Sequence, residues 1–284
     1  MRLLKQLGAV AVVAIVGSQA VNAVQGNAWL TLVVGALAAA LMVVAYRWVV
    51  RRTERRDVSE LAGRGAVGGT FRGLLIGFAM FAAVAVNIAF NGKFDVHGIG
   101  SVSGAISMLG FTAAAAVSEE LLIRGVLFRV IEQRIGTYLA LLASGVLFGA
   151  MHLANADATL WGATAIAIEA GFMLAACYAA TRNLWVPIGL HFGWNFALGG
   201  ISGLVVSGNG ETKGLLDVTI SGPELYTGGA FGPEGGIATL GVGILLTVVF
   251  MVIAHRRGNI VRRGNHRTVT AAQSAPVVAV PAAR

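Results

Sequence analysis

Apolar residues fall into about eight runs along the chain, separated by short polar or glycine-rich joints. A helix needs about 17–25 residues to cross roughly 30 Å of hydrocarbon, and most of the runs have that length. Helices are expected because open strands would leave backbone groups unpaired in lipid. The predicted spans are 7–24, 28–48, 73–91, 103–124 (alternatively extended to 131), 138–153, 160–180, 185–206 and 237–254. The pattern predicts an all-α fold, a polytopic transmembrane helix bundle with about eight spans.

The basic residues follow this alternation of spans and joints. If the N-terminus lies in the cytoplasm, only Lys93 and Lys213 of the 21 basic residues fall on outer segments. An excess of Lys and Arg is typical of the cytoplasmic segments of membrane proteins. We therefore expect both termini in the cytoplasm, and contact between the basic segments and anionic lipid.

Composition agrees with a membrane protein. Hydrophobic residues make up 56% of the 284 residues and charged residues 12%, about half the charged fraction of a soluble domain. The 39 glycines suit close approach of helices in a membrane. The placement of Lys and Arg on the predicted cytoplasmic segments explains the net charge of +8, so no nucleic-acid partner is expected. The single cysteine, Cys177, leaves no intrachain disulfide.

The N-terminal segment, the long segment 207–236 and the C-terminal tail divide the chain into regions. A basic start, the apolar stretch 8–16 and Val21-Asn22-Ala23 outline a signal peptide, the alternative to a retained first helix. The glycine-rich segment 207–236 is expected to be an outer loop that could cover the outer face. We predict N-terminal helices with a basic cytoplasmic loop (1–102), a central core (103–206), an outer loop with the last helix (207–254), and a basic, disordered cytoplasmic tail (255–284).

Ionisable groups inside a membrane are costly, so each one is a candidate functional residue. They are Glu119, Glu120, His152, Glu169 and His191, with the amide Asn195 beside them. Residues four apart share a helix face, so Glu120 can pair with Arg124 and be neutralised. Neighbouring Glu119 points elsewhere and is left free for chemistry. The alternative is that both glutamates only hold helices together.

Two histidines extend the set. Phe148 and His152 share one helix face, where the histidine alone would more often be a satisfied polar residue. His191 and Asn195 share another face, and both can donate hydrogen bonds to charge that develops on a carbonyl oxygen. The alternative for that pair is a helix–helix hydrogen bond.

The ordered motifs resemble those of the CPBP family of intramembrane proteases, which includes the type II CAAX prenyl endopeptidases. The family pattern is Glu-Glu-x-x-x-Arg, then Phe-x-x-x-His, then His-x-x-x-Asn or Asp, and the resemblance covers roughly residues 103–200. Ile123 stands where the family often has an aromatic residue. The resemblance implies that Glu119 is the general base that activates water, with His152 holding that water. It further implies that Glu120 pairs with Arg124, and that His191 and Asn195 stabilise the oxyanion.

A zinc site is the alternative to a glutamate mechanism. Catalytic zinc commonly takes three protein ligands and a water, and Glu119, His152 and His191 could supply them. A His-Glu-x-x-His helix is absent from the sequence. The expectation is therefore a glutamate mechanism with no cofactor, and zinc remains the alternative.

Depth along the spans leaves a geometric conflict. At about 1.5 Å per residue, His152 lies deeper from the cytoplasmic end of its span than His191 does. We expect a water-accessible cavity open toward the cytoplasmic half to accommodate both. Glu169 belongs to none of the motifs, and is either a protonated glutamate hydrogen-bonded between helices or a group that lines the cavity.

The sequence thus predicts an endopeptidase that acts on a membrane-anchored or amphipathic peptide or protein in the lipid bilayer. A non-catalytic scaffold or bacteriocin-immunity-type protein is the alternative, and a transporter is disfavoured because no internal symmetry is visible. The basic, Ala- and Gly-rich composition indicates the inner (plasma) membrane of a bacterium. Neither the substrate nor its prenylation follows from the sequence.

Overall fold

The fold is a bundle of helices with one small sheet, as seen in a computed structural model that describes residues 1–263. The α-helices are α1 (Arg2–Ala23), α2 (Ala28–Glu54), α3 (Ala66–Asn91), α4 (Val102–Glu120), α5 (Arg129–Ile135), α6 (Thr137–Met151), α7 (Leu160–Ile166), α8 (Met173–Thr181), α9 (Trp185–Asn195), α10 (Glu224–Thr227) and α11 (Ile237–Arg256). The strands are β1 (Lys93–Ile99) and β2 (Leu216–Ser221). Short 3₁₀ turns cover Ser59–Leu61, His152–Ala154, Gly229–Phe231 and Pro233–Gly235.

Three π-helical stretches join or extend these helices. Leu121–Phe128 connects α4 to α5, Ala167–Phe172 connects α7 to α8, and Phe196–Ile201 extends α9. With the joins counted, seven helices of the described chain are long and apolar enough to cross a membrane, among them Val102–Ile135 and Leu160–Thr181. The prediction of an all-α, polytopic transmembrane bundle is confirmed. No residue type in the apolar stretches had indicated the π-helical turns.

The predicted span 185–206 is shorter than expected. Helix α9 and its π-helical extension end at Ile201, and residues 203–206 form no regular element. The physical reason lies in Gly203, which has φ +67°, a conformation that suits glycine and ends a helix. The chain therefore leaves the bundle earlier than hydrophobicity alone indicated.

Glycines bring α3 and α9 together. A Cβ atom at Gly73 would overlap the carbonyl oxygen of Val186, one at Gly77 that of Leu190, and one at Gly189 that of Thr70. Such small-residue stripes let membrane helices approach until their backbones touch. The contact fixes the height and rotation of α9, which carries His191 and Asn195.

The segment 207–236 contains more structure than the loop predicted for it. Strand β2 pairs antiparallel with β1, with an irregularity between Val96 and Gly98, and α10 with two 3₁₀ turns follows. Strand β2 forms because β1 supplies hydrogen-bond partners for its backbone N–H and C=O groups. The two strands are too far apart in the sequence for this pairing to be predicted. We call the end of the bundle that carries β1 and β2 the sheet end.

A network of charges ties the N-terminal helices to α5 at the opposite end. Arg129 donates to both carboxylate oxygens of Glu54 at 2.9 and 2.8 Å and, through Nε, to the carbonyl oxygen of Gly125 at 2.7 Å. The Tyr46 hydroxyl contacts the same carbonyl at 3.0 Å and Oε1 of Glu60 at 2.8 Å. The side chains of Glu54, Glu60 and Arg129 are at most 8% exposed, so the π-helical stretch is held through Gly125 by paired charges.

The predicted C-terminal tail begins with a docked segment. The Val261 carbonyl oxygen accepts a hydrogen bond from the Thr137 N–H at 3.0 Å, and Asn259 Nδ2 donates to the Ala180 carbonyl at 3.1 Å. Residues 257–261 are therefore not a free tail, because their backbone completes hydrogen bonds at the ends of α6 and α8. The remainder of the predicted disordered tail, residues 264–284, lies outside the described residues.

Candidate active site

The glutamate pair meets the imidazole of His191 at the end of α4. His191 Nδ1 lies 2.9 Å from Oε1 of Glu120, and His191 Nε2 lies 3.9 Å from Oε2 of Glu119. Glu120 is fully buried, whereas the Glu119 side chain is 29% exposed. The sequence had paired Glu120 with Arg124 alone. The imidazole reaches both carboxylates because its nitrogens lie on different edges of the ring.

Arg124 neutralises the inner carboxylate and ties two helices together. Its Nη1 donates to Oε1 of Glu120 at 2.8 Å, the pair that the spacing of four residues predicts. Its Nη2 donates to the carbonyl oxygens of Ala170 and Gly171 at 3.1 and 3.0 Å. Both carbonyls belong to the π-helical stretch Ala167–Phe172. Arg124 has no exposed surface, so this arrangement keeps a full charge inside the bundle by pairing it.

Phe148 lies at the centre of the site. The guanidinium carbon of Arg124 lies 4.3 Å from the centroid of the Phe148 ring. The ring centroids of His152 and His191 lie 4.8 Å and 6.1 Å from the same centroid. Nδ1 of His152 lies 2.7 Å from the carbonyl oxygen of Phe148. Side chains on a helix lean toward its N-terminus. His152 therefore leans back toward Phe148, so that both histidine rings lie beside the same aromatic side chain.

A small apolar cavity of about 10 Å³, roughly the space that one water molecule needs, adjoins His191. Its polar lining consists of His191, Asn195, Ser207 and Glu234, and the rest is apolar, including Phe148. Oδ1 of Asn195 is buried without a hydrogen-bond partner within the described chain. The cavity reaches toward the sheet end through Ser207 and Glu234. The short α9 lets the following segment fold in beneath it, and the expected opening toward the cytoplasmic half stays a prediction.

Glu234 is the site residue that sequence reasoning missed. It is buried, with Oε1 accepting from Trp194 Nε1 at 3.0 Å and from Ser207 Oγ at 3.2 Å, and Oε2 accepting from the Ser207 N–H. Burial raises the pKa of Glu234, and these donors act in the opposite direction. In the sequence it stands in a Gly-Pro-Glu-Gly-Gly stretch, which has the composition of a surface turn and gave no signal of burial.

Glu169 stands apart from the motif residues. It has no exposed surface, and neither of its carboxyl oxygens has a hydrogen-bond partner among the described residues. A Cβ atom at Gly243 of α11 would overlap its backbone and Cβ. The hydrogen bond between helices that the sequence suggested for it is not formed. Glu169 does not line the cavity beside His191 either.

The three candidate zinc ligands, Glu119, His152 and His191, have other contacts in this arrangement. No three His, Cys, Asp or Glu side chains within residues 1–263 converge as a metal-binding group. His191 Nδ1 contacts Glu120, and His152 Nδ1 contacts a backbone carbonyl. Catalytic zinc commonly takes three protein ligands, and the choice between zinc on Glu119, His152 and His191 and a glutamate mechanism stays a prediction.

The arrangement can handle a proton and stabilise negative charge. Because Glu120 is paired with Arg124, it is an acceptor, and the Nδ1 proton of His191 points to it. The Nε2 atom then accepts a proton when the ring is neutral and donates when the ring is an imidazolium. Glu119, the more exposed carboxylate, lies on that Nε2 side. The carboxylate of Glu119, the imidazole of His191 and the amide of Asn195 thus occur at one site, beside the paired charges of Glu120 and Arg124.

Comparison with known proteins agrees with the motifs. Residues 101–197 match the family model described as type II CAAX prenyl endopeptidase Rce1-like. No curated protein and no solved structure matches the chain. The matched region contains all seven motif residues: Glu119, Glu120, Arg124, Phe148, His152, His191 and Asn195. Residues 101–197 of this multi-pass membrane protein are therefore similar to the type II CAAX prenyl endopeptidase Rce1-like family, in the stretch that carries the ordered motifs.

Proposed function

We propose that the protein is an intramembrane endopeptidase that hydrolyses a peptide bond of a membrane-anchored or amphipathic peptide or protein. The observation that carries the proposal is the placement of His191 between Glu119 and Glu120, with only Glu120 neutralised by Arg124. That asymmetry leaves one carboxylate free to act as a base. In a purely structural cluster, both carboxylates would be paired.

Glu119 accepts a proton from a water molecule, and the resulting hydroxide attacks the peptide carbonyl carbon. The bond to the carbonyl oxygen becomes single, and the oxyanion lies beside His191 and Asn195, which donate hydrogen bonds to it. Because Nδ1 of His191 is directed to Glu120, this donation comes from Nε2 of the imidazolium form. The carbon–nitrogen bond then breaks, and the proton taken by Glu119 moves to the leaving amine.

His152 has a secondary role in this scheme. Its imidazole packs on Phe148, the same ring that contacts His191. We assign it the task of holding the attacking water near Glu119. Its Nδ1 contact with the Phe148 carbonyl fixes the ring orientation and leaves Nε2 for the water.

The cellular setting follows the same proposal. The seven long apolar helices place the protein in a bilayer, and we propose the plasma membrane of a bacterium on the basis of composition. The substrate is bound to or lies on that membrane. The site lies inside the bundle, so a substrate segment must leave regular helical structure to expose its peptide bond to water.

The proposal is tested with the full-length protein purified in detergent and a library of quenched peptides. The wild type is compared with Glu119→Gln, His191→Gln and, as a matched control, Glu211→Gln, which changes an exposed glutamate. We expect cleavage by the wild type and by the control, and loss of at least about a hundredfold in kcat in the site variants. Equal cleavage by the wild type and Glu119→Gln would refute the assigned base, and a lack of any cleavage favours a scaffold.

A further inference from the structure

The buried carboxyl of Glu234 has no role in the motifs, although it lines the cavity beside His191 and Asn195. It comes from a segment beyond the region that matches the family model, residues 101–197. A carboxyl group buried away from any Lys or Arg is costly, so its presence in a loop requires a physical explanation. Within the described chain, no salt bridge involves Glu234.

The partners of Glu234 indicate what it holds. Trp194 Nε1 donates to Oε1 at 3.0 Å, and Trp194 directly precedes Asn195 and follows His191 by three residues. The Trp194 side chain is buried, and its other aromatic contact is Phe81 of α3, with ring centroids 6.5 Å apart. The hydrogen bond to Glu234 is thus the polar contact that fixes the direction of the indole ring.

The site needs such a support because α9 ends there. Asn195 is the last α-helical residue, and the π-helical stretch Phe196–Ile201 begins immediately after it. π-Helical turns often occur at functional sites and change the direction of the following side chains. The turn that carries His191 and Asn195 is therefore not held by a regular helix on its C-terminal side.

Glu234 is itself anchored by the segment that folds over the sheet end. Ser207 donates to it through both N–H and hydroxyl, and Asn155 Nδ2 donates to the Ser207 carbonyl. Trp161 Nε1 donates to the carbonyl of Gly235 at 2.8 Å. The connection runs from α7 and the end of α6, through Ser207 and Glu234, to Trp194.

We propose that Glu234 is a positioning residue of the active site, which holds Trp194 and thereby fixes the turn that presents His191 and Asn195 to the substrate. This inference rests on the proposed protease function. Groups that must meet a transition state lose about a hundredfold in rate when misplaced by about 1 Å. Loss of the Glu234–Trp194 hydrogen bond therefore affects the chemical step more than substrate binding.

The test measures kcat and KM for Glu234→Ala, Glu234→Gln, Trp194→Phe and the double variant Glu234→Ala/Trp194→Phe. Glu224→Gln, an exposed glutamate of the same segment, is the matched control. We expect kcat to fall about 10- to 100-fold in Glu234→Ala and Trp194→Phe, with KM within about threefold. Glu234→Gln keeps a carbonyl oxygen for the Trp194 N–H and is expected to recover part of the lost kcat.

The double variant separates positioning from unrelated damage. Two residues that act through one hydrogen bond give a double variant no slower than the slower single variant. Three results would overturn the inference. Folded Glu234→Ala could keep the wild-type kcat, the losses in the double variant could multiply, or Glu234→Gln could recover none of the lost kcat. Melting temperature in detergent identifies variants that fail to fold, in which case Glu234→Gln decides. Failure of this inference can be distinguished from failure of the protease proposal. If only the inference is wrong, the wild type still cleaves the peptide and Glu119→Gln does not.

Discussion

Nδ1 of His191 lies 2.9 Å from Oε1 of Glu120, the same oxygen that receives Nη1 of Arg124 at 2.8 Å. One carboxylate oxygen thus orients the imidazole of α9 and neutralises the guanidinium of its own helix. The other hydrogen-bond partner of Arg124 is the backbone of the π-helical stretch Ala167–Phe172. Three membrane helices meet at this ion pair, so it supports both the fold and the proposed chemistry.

Removing one member of that pair is expected to destabilise the fold. Glu120→Leu leaves the Arg124 charge buried without its carboxylate, and a broken buried pair costs about 3–5 kcal/mol of unfolding free energy. The double variant Glu120→Leu/Arg124→Met removes both charges and is expected to recover most of that loss. Unfolding in detergent with added denaturant measures the difference. A single variant as stable as the wild type would contradict the pairing, and the double variant is expected to remain inactive.

Close packing of α3 and α9 is expected to control the position of His191. In Gly77→Ala the new methyl group overlaps the Leu190 carbonyl oxygen, so α3 and α9 must separate, at a cost of about 1–3 kcal/mol. Gly68→Ala is the matched control in the same helix, because a Cβ atom there meets nothing within 4 Å. We expect lower thermal stability and lower kcat in Gly77→Ala only. Identical behaviour of the two variants would show that the helices are not in backbone contact.

The orientation predicted from the basic residues can be measured with cysteine labelling. The native thiol, Cys177, is fully buried, and Cys177→Ser gives a background without cysteine. Arg64→Cys and Lys213→Cys place single thiols at exposed positions on opposite sides of the predicted topology. A membrane-impermeant maleimide is expected to label Lys213→Cys in intact cells and Arg64→Cys only after permeabilisation. The reverse pattern would invert the topology.

The network at the end opposite the sheet predicts a pH dependence of stability. Burial alone would raise the pKa of Glu60, but hydrogen bonds from Arg56 and the charges of Arg129 and Arg56 hold that pKa below its ordinary value of 4.5. A lowered folded-state pKa gives a stabilisation that is complete above the unfolded pKa and is lost as pH falls through the folded one. The melting temperature difference between wild type and Glu60→Gln should stay constant from pH 7 to about 5 and shrink in more acidic buffer. A melting-temperature difference that grows as the pH falls would show that the folded-state pKa of Glu60 is raised instead of lowered.

Local spacing predicted the parts of the site that lie within one helix. The Glu120–Arg124 pair and the shared face of His191 and Asn195 depend only on the helical period. The order of the long helices followed from apolar runs in the same way, whereas seven helices in the described residues reach membrane-crossing length where about eight spans were predicted. The contact of His191 with Glu120 could not be predicted, because it depends on how α4 and α9 pack.

Features that arise from tertiary pairing were missed for the same reason. Strand β2 forms because β1 supplies its hydrogen bonds across more than 100 residues of sequence. Glu234 is buried because Ser207 and Trp194 surround it, whereas its neighbours in sequence are typical of a turn. The π-helical stretches have the same apolar composition as the α-helices that they join, so hydrophobic pattern does not distinguish them.

The central claim is that Glu119 activates water directly, and one comparison tests it: the cleavage rate of purified wild type and Glu119→Gln, each before and after treatment with a chelator and again after addition of zinc. We expect the chelator to leave the wild-type rate unchanged and Glu119→Gln to remain inactive under all three conditions. Wild-type activity that is lost on chelation and restored by zinc would contradict the claim, and would make Glu119, His152 and His191 metal ligands instead.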